Sequence, residues 1–196
     1  MTSKTAAIVL AGGEARRLGG QDKPLLRISN TSMIARIIET LRADGHDIAI
    51  SANGDPARFA ELALPVLADG RFAGEGPLAG VLAGMDWAAT RCADDLLTVP
   101  GDTPFAPAGL AAALAPPPAC AESAGRPHWL VALWPLDCRD KLRQVLSVPG
   151  RRDIASFARL INMRRVDLAG AKWDAFFNVN TPQDLVTARA IAGGER

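Results

Sequence analysis

The sequence predicts an α/β protein with three layers, in which helices cover both faces of a doubly wound, mostly parallel sheet. Short apolar runs that are typical of buried strands alternate with amphipathic segments that are typical of helices. Four of the apolar runs end in polar loops, as strands do at the ligand-binding edge of such sheets. The length of 196 residues suits one sizeable core, and we predict a single domain over residues 1–196.

The first half of the chain contains the predicted elements in a regular order. The run TAAIVL (5–10) predicts a buried strand, and residues 32–43 predict a helix with Thr31 or Ser32 as its N-cap. HDIAISAN predicts a second strand, and LPVLAD is a candidate for a third. DDLLTVPGD predicts a further strand that ends in a polar loop. The segment before that last strand predicts a helix, because its apolar residues have helical spacing: Leu78, Val81, Leu82 and Met85.

The second half is less regular. LAPPPAC predicts a turn, because three prolines cannot occupy a helix interior. HWLVALWPL (128–136) predicts a strand, and RDKLRQVLSV predicts a surface helix with its apolar residues on one side. FFNVN predicts the end of a strand, followed by a helix that Thr181 caps and that has Pro182 at its first position.

Composition excludes several classes of function. The net charge of +1 argues against a bulk nucleic-acid binder, so an anion site must come from local clustering of cations. Three cysteines without a C-x-x-C pair and two distant histidines argue against a disulfide framework, a zinc site and a histidine-based catalytic triad. No apolar run approaches the roughly 20 residues that span a bilayer. The N-terminal apolar run is too short for a signal peptide, so we predict a soluble, cytoplasmic protein without a membrane partner.

The first loop, LAGGEARRLGGQDK, has the composition of a phosphate-binding segment. Gly12 and Gly13 would let the backbone approach a phosphate and direct N–H groups at it. Arg16, Arg17 and Lys23 add cations for a polyphosphate, and adjacent arginines on a loop leave open which one faces it. The P-loop and the G-x-G-x-x-G fingerprint are both absent. The alternative is an ordinary glycine-rich turn with surface cations.

Three further polar residues stand at predicted strand ends. Asp102 follows LLTVP directly, and its carboxylate has the chemistry to hold a Mg²⁺ ion that bridges phosphate oxygens. It could equally cap the turn before Pro104, and Asp69 beside Gly70 has the same alternative. Asn53 could donate to a nucleobase or ribose, or belong to a simple turn.

Several segments taken together resemble the molybdenum cofactor guanylyltransferase family. The resemblance runs in order from residue 7 to about residue 189 and rests on LAGGEARRLGGQDKPLL, ISAN, GPLAGVLAGMDWA, VPGDTPF and FFNVNTPQDL. L-A-G-G, R-R-x-G-G-x-D-K and N-x-N-T-P are specific in combination, although each fragment alone is not. The glycine-rich loop looks more like the guanylyl branch of the nucleotidyltransferases than the cytidylyl branch.

The resemblance implies a nucleotide-diphospho-sugar-transferase-like, Rossmann-like fold. It also implies transfer of GMP from GTP to the molybdenum-molybdopterin cofactor, with Mg²⁺ as cofactor and release of pyrophosphate. The N-terminal half would bind GTP and the C-terminal half molybdopterin. The enzyme would act as a monomer, with transient contact to molybdoenzymes or their chaperones.

The resemblance also implies roles for individual residues. The proposed catalytic residues are Lys23, Asp102 and Arg17, and Asp102 is the implied metal ligand. Substrate-binding residues are implied at these positions: Leu10, Ala11, Gly12, Gly13, Lys23, Asn53, Asp69, Asp102, Asn178 and Asn180. Two alternatives remain open, a nucleotidyltransferase that uses CTP or a sugar phosphate, and a non-catalytic nucleotide-binding module for molybdoenzyme maturation.

Overall fold

The computed structural model describes residues 3–12, 22–148, 153–168 and 174–194. The strands in these residues are β1 (Thr5–Leu10), β2 (Arg27–Ile28), β3 (Thr31–Ser32), β4 (Asp47–Ser51), β5 (Val66–Leu67), β6 (Asp95–Pro100), β7 (Ala119–Ser123), β8 (Arg126–Pro135) and β9 (Arg164–Asp167). The α-helices are α1 (Met33–Ala43), α2 (Pro77–Thr90), α3 (Leu110–Leu114), α4 (Arg139–Leu146), α5 (Ile154–Leu160) and α6 (Pro182–Gly193). Short 3₁₀ turns cover Lys23–Leu25, Pro56–Leu62, Gly70–Phe72 and Leu136–Cys138. Every helix within the described residues is too short or too polar to cross a lipid bilayer.

The main sheet is mostly parallel, as predicted. Its seven strands hydrogen-bond in the order β5-β4-β1-β6-β8-β7-β9, while β2 and β3 form a separate antiparallel hairpin. Neighbouring strands pair in parallel, except that β8 runs antiparallel to both β6 and β7. Because β4 and β6 flank β1 on opposite sides, the chain winds away from β1 in both directions. Ligands of doubly wound sheets bind beyond the strand ends at such a reversal.

Helices cover both faces of the sheet. Side chains alternate along β1, so Ala7 and Val9 belong to one hydrophobic cluster and Ala6 and Ile8 to another. α1 and α3 pack on the first face, and α2, α4 and α5 pack on the second. α1 begins where predicted, since the Ser32 hydroxyl accepts a hydrogen bond from the Ala35 N–H. The predicted three-layer arrangement is confirmed.

The antiparallel strand β8 reaches the edge at which the parallel strands end. Its pairing with β6 stops at Thr98 opposite Ala132. On its other side, consecutive residues of β7 pair with Ala132 and then with His128, so residues 129–131 form a bulge. Bulges of this kind redirect side chains and are frequent beside active sites. The first half of β8 therefore projects beyond its pairing with β6.

The C-terminal segment differs from its prediction. The stretch FFNVN was expected to end a strand, but it is a loop outside the sheet. The Val179 N–H donates to the Asp102 carbonyl at 3.0 Å, which fastens this loop to the turn after β6. The predicted helix follows as α6, and Thr181 and Asp184 form a capping box at its start. α6 packs on the β2–β3 hairpin through a small third cluster.

Candidate functional site

The strand-end loops meet in one open cleft. The cleft has a volume of about 1160 Å³ and lies beyond the carboxyl ends of β1, β4, β5 and β6. Eight residues selected from the sequence line it: Leu10, Ala11, Gly12, Lys23, Asn53, Asp69, Asp102 and Asn178. The predicted sites Gly13 and Arg17, and the neighbouring Arg16, lie outside the described residues, so their roles stay predictions.

Backbone hydrogen bonds fix the floor of this cleft. The Ala11 N–H donates to the carbonyl of the last residue of β4 at 2.8 Å, and the Gly101 N–H donates to the Leu10 carbonyl at 2.9 Å. A Cβ at Gly101 would stand 3.2 Å from Pro24 and 3.3 Å from the Leu10 oxygen. A side chain at position 101 would therefore press on the turn that carries Lys23.

Lys23 joins two parts of the site. Its Nζ donates to Asp102 Oδ2 at 2.5 Å and to Asn180 Oδ1 at 2.6 Å. The Lys23 and Asp102 side chains are only 18% and 23% exposed, so water screens this ion pair less than a surface pair. The predicted catalytic lysine, the strand-end aspartate and a predicted pterin-side asparagine thus converge on one point.

Asn53 and Asp69 form a second polar pair in the cleft. The Asn53 Nδ2 donates to Asp69 Oδ2 at 2.6 Å, and the Asp69 N–H donates back to Asn53 Oδ1 at 3.0 Å. Burial raises the pKa of the Asp69 carboxyl above its usual value, and the hydrogen bond from Asn53 opposes that rise. The pair holds the ends of β4 and β5 together and leaves a second carboxylate oxygen, Asp69 Oδ1, outside the hydrogen bond.

Arg58 lines the cleft and was not predicted from the sequence. Its guanidinium donates to the Asn53 carbonyl at 2.7 Å and forms an ion pair with Asp22, the residue before Lys23. It also lies over the Phe59 ring, 4.8 Å from the centroid. Arg58 thereby connects the Lys23 turn to the Asn53 loop. An arginine in a short 3₁₀ turn carries no sequence signal for this role.

Asn178 and Asn180 occupy different positions in the C-terminal loop. Asn178 lines the cleft and accepts a hydrogen bond from the Thr103 hydroxyl at 2.8 Å. Asn180 bonds Lys23, while its own N–H donates to Asp184 at the start of α6. Both asparagines are therefore held beside the turn that carries Asp102, although they do not end a strand.

The opposite wall of the cleft comes from β8. Residues 126–131 line it, and this segment includes the bulge. His128 stands here with its Nε2 2.7 Å from the Ser123 hydroxyl and its ring 5.0 Å from that of Phe176. His128 has no role predicted from the sequence, because a single histidine on a strand belongs to no motif.

The residues present suit a hard divalent cation that is shared with a substrate. The described residues contain no cluster of three histidine, cysteine or acidic side chains, so they form no closed all-protein metal cage. The Asp102 carboxylate and the Asn180 amide oxygen converge on one cationic group, the Lys23 ammonium. Mg²⁺ is commonly held by one or two carboxylates together with substrate phosphates. This donor set fits that mode of binding.

Comparisons with known proteins agree with the fold and identify the family. The family model of the MobA-like NTP transferase domain matches residues 7–164. The chain is 50% identical to the molybdenum cofactor guanylyltransferase of Acidiphilium cryptum (strain JF-5), over 96% of this chain and 95% of that relative. It is 43% identical to the molybdenum cofactor guanylyltransferase of Rhodopseudomonas palustris (strain BisB5), over 96% and 94%. The molybdopterin-guanine dinucleotide biosynthesis protein A of Archaeoglobus fulgidus has a similar fold, with a TM-score of 0.74 at 22% identity over 97% of this chain and 99% of that one.

Proposed function

The chain belongs to the molybdenum cofactor guanylyltransferases of the MobA-like NTP transferase family, and we propose that it transfers GMP from GTP to the molybdenum-molybdopterin cofactor. The products are molybdopterin guanine dinucleotide and pyrophosphate. The observation that carries this proposal is the convergence of Lys23, Asp102 and Asn180 at the strand edge beside Gly12. Lys23 supplies a cation, Asp102 a carboxylate that could bind a metal, and Asn180 a link to the second half of the chain.

GTP would occupy the wall formed by the first half of the chain. Leu10, Ala11 and Gly12 would present backbone groups to the nucleotide, since Gly12 has open space around its Cβ position. Asn53 and Asp69 would complete this side of the site as a hydrogen-bonded pair. Lys23 would neutralise phosphate charge.

The reaction is an in-line displacement at the α-phosphorus of GTP. A terminal phosphate oxygen of molybdopterin forms the new P–O bond, the bond to the β-phosphate oxygen breaks, and its electron pair leaves with pyrophosphate. The nucleophile is already anionic, so no side chain has to remove a proton. The work of the protein is positioning and neutralisation of charge. Lys23 would stabilise the leaving pyrophosphate, and we propose that Arg17 contributes to the same task.

We expect the metal to be Mg²⁺, held by Asp102 with oxygens of the nucleotide. A divalent cation there would neutralise negative charge on the reacting phosphates. Asn178 and Asn180 would contact the molybdopterin substrate, as the family resemblance implies, and their bonds to Thr103 and Lys23 hold them beside the turn that carries Asp102.

Turnover with purified protein tests the proposed function. We expect GTP, Mg²⁺ and molybdenum-molybdopterin to give the guanine dinucleotide and stoichiometric pyrophosphate. CTP in place of GTP, or a sugar phosphate in place of molybdenum-molybdopterin, should release no pyrophosphate. Efficient use of CTP would assign the chain to another nucleotide specificity. Tight GTP binding without any product would indicate a non-catalytic nucleotide-binding module.

A further inference from the structure

A chain of hydrogen bonds fixes His128 against the wall of the cleft. The Ser123 hydroxyl lies 2.9 Å from Asp174 Oδ1 and 2.7 Å from His128 Nε2. Ser123 itself is only 6% exposed, so these bonds lie behind the cleft surface. The same Asp174 oxygen accepts the Phe176 N–H at 2.9 Å, and the Phe176 ring packs beside the imidazole. The imidazole is therefore held from two sides.

The hydrogen bonds also determine which ring nitrogen carries the proton. A serine hydroxyl has one hydrogen, and a carboxylate can only accept, so Ser123 donates to Asp174. The contact between Ser123 and His128 then requires Nε2–H to donate to the hydroxyl oxygen. Burial lowers the pKa of His128, and this effect is larger than the opposing effect of the Asp174 charge, which raises the pKa. The lowered pKa and the contact with Ser123 both favour the neutral ring with its proton on Nε2, in which Nδ1 carries a lone pair that accepts hydrogen bonds.

The position of His128 in the cleft indicates which substrate its Nδ1 acceptor would meet. His128 lines the cleft within the projecting segment 126–131 of β8, whereas the Asn53–Asp69 pair belongs to the wall of the first half. Among the described residues, no protein donor contacts Nδ1. An acceptor that is partly buried costs free energy while it lacks a partner, so a hydrogen bond from a ligand donor to Nδ1 would stabilise the complex.

We propose that His128 Nδ1 accepts a hydrogen bond from the N–H edge of the pterin ring and so determines specificity for the second substrate. This inference rests on the proposed function. The 2-amino-4-oxopyrimidine edge of a pterin also occurs in guanine, so the chemistry that His128 recognises has two sources. We assign it to the pterin, because β8 lies on the wall opposite the residues proposed for GTP.

Three variants separate the acceptor from its support. His128→Phe keeps a flat ring and removes both nitrogens. His128→Asn retains an acceptor, because the amide oxygen can stand near the place of Nδ1. Ser123→Ala removes the anchor of Nε2 and leaves the acceptor. His46→Phe is the matched control, since His46 contacts the Thr5 carbonyl at the start of β1 rather than the cleft.

The Michaelis constants for the two substrates provide the main measurement. For His128→Phe we expect the KM for molybdenum-molybdopterin to rise about fivefold to tenfold, the effect of one lost hydrogen bond. The KM for GTP should stay within about twofold, given the same scale of energies. His128→Asn should recover most of the loss, Ser123→Ala should show a smaller one, and His46→Phe should match the wild type.

Other outcomes overturn the inference. An unchanged KM for the pterin substrate in His128→Phe excludes the contact, and a raised KM for GTP alone assigns the acceptor to guanine. Equal losses in His128→Phe and His128→Asn would show that only the anchor matters. Pterin binding, followed by its fluorescence without GTP, keeps the test independent of turnover. If the wild type forms no dinucleotide, the proposed function fails, and the effect of His128→Phe on pterin binding still decides the role of His128.

Discussion

Lys23 occupies the carboxylate that we propose as the metal ligand. Its ammonium lies 2.5 Å from Asp102 Oδ2 and 2.6 Å from Asn180 Oδ1. A divalent cation and Lys23 would compete for the same carboxylate, because both are attracted by one negative charge. Metal binding would then release Lys23 toward the phosphates.

This competition predicts opposite effects for Lys23→Ala. We expect Mn²⁺ to bind more tightly to the variant than to the wild type when no nucleotide is present, as measured by electron paramagnetic resonance. Turnover, measured as pyrophosphate release, should fall by about a hundredfold or more, the usual loss for one donor to the transition state. Lys141→Ala, at an exposed position of α4, serves as control for both measurements. Unchanged or weaker Mn²⁺ binding would show that Lys23 does not compete.

Asp102→Asn removes the carboxylate charge and keeps the side-chain shape. We expect this variant to lose both Mn²⁺ binding and turnover, because an amide oxygen is a much weaker ligand for a hard cation. Lys23 keeps its bond to Asn180, so the fold should persist in circular dichroism. Magnesium-dependent release of pyrophosphate at the wild-type rate would remove Asp102 from the proposed metal site.

Replacement of Asp69 by a neutral residue should increase the stability of the folded protein, and the increase should depend on pH. Burial raises the pKa of its carboxyl in the folded protein above the ordinary 3.8, so ionisation costs folding free energy at neutral pH. That cost is absent below the unfolded pKa and complete above the folded one. Asp69→Asn should therefore increase the free energy of unfolding at pH 7, with a smaller gain near pH 4, in urea titrations. The same variant should bind GTP more weakly, and an equal gain at both pH values would contradict the assigned cause.

The sequence predicts the residues that follow strands better than those that act from elsewhere. Asn53, Asp69 and Asp102 could be selected because parallel strands bring their carboxyl ends to one edge. Arg58 reaches the cleft from a 3₁₀ turn, and His128 reaches it from the start of a reversed strand. Both positions depend on the tertiary arrangement, and neither has a local motif.

At the level of elements, α2 supports the cleft through close contact with β1 and β4. A Cβ at Gly80 would stand 2.5 Å from Ser51 Oγ, 3.1 Å from Leu10 Cδ2 and 3.6 Å from Asp69 Oδ1. One turn later, a Cβ at Gly84 would meet Ile8 and Leu96 in the core. Gly80 therefore allows α2 to pack closely against the strand ends at the cleft, whereas Gly84 allows close packing in the core.

This difference predicts distinct effects of two matched substitutions. Gly→Ala in a helix normally stabilises by about 1 kcal/mol, but overpacking costs about 1–3 kcal/mol. We expect both Gly80→Ala and Gly84→Ala to lower the thermal midpoint. Only Gly80→Ala should raise the KM for GTP, because its methyl group displaces side chains at the ends of β1 and β4. A similar KM change in both variants would indicate a general loss of packing instead.

The accuracy of the predicted elements follows their hydrophobic pattern. β1, α1, α2, β6 and α6 were predicted because buried runs or caps mark them clearly. β9, with the sequence RRVD, was missed because an edge strand of charged residues has no apolar alternation. FFNVN has strand-like residues, yet it is a loop because its partner is the Asp102 carbonyl rather than a neighbouring strand.

For the whole molecule, the two large hydrophobic clusters on the faces of the main sheet argue for one cooperative unit. Each contains residues from the first half, such as Val9 and Ile8, and residues from β8, such as Leu133 and Trp134. Neither half would keep its core if the other unfolded. We therefore propose one domain across the chain.

A single unfolding transition is the expected result. Fluorescence of the tryptophans and far-UV circular dichroism should give the same midpoint in urea, as two-state unfolding requires. GTP with Mg²⁺ should shift the whole transition, by about 2.7 kcal/mol at a hundredfold excess over Kd. Two separate midpoints, with only one moved by nucleotide, would show that the halves fold independently.

The reversed direction of β8 has a consequence for how such an enzyme can diversify. Residues 126–131 begin their strand, whereas the residues proposed to bind the nucleotide lie at or beyond the ends of theirs. Two separate stretches of chain therefore supply the facing walls. Each stretch can mutate without altering the backbone bonds that hold the other. A chimera that exchanges only residues 126–131 should therefore acquire a new acceptor preference and keep its nucleotide preference. The proposed assignments thus predict that donor and acceptor preference reside in separate stretches of the chain.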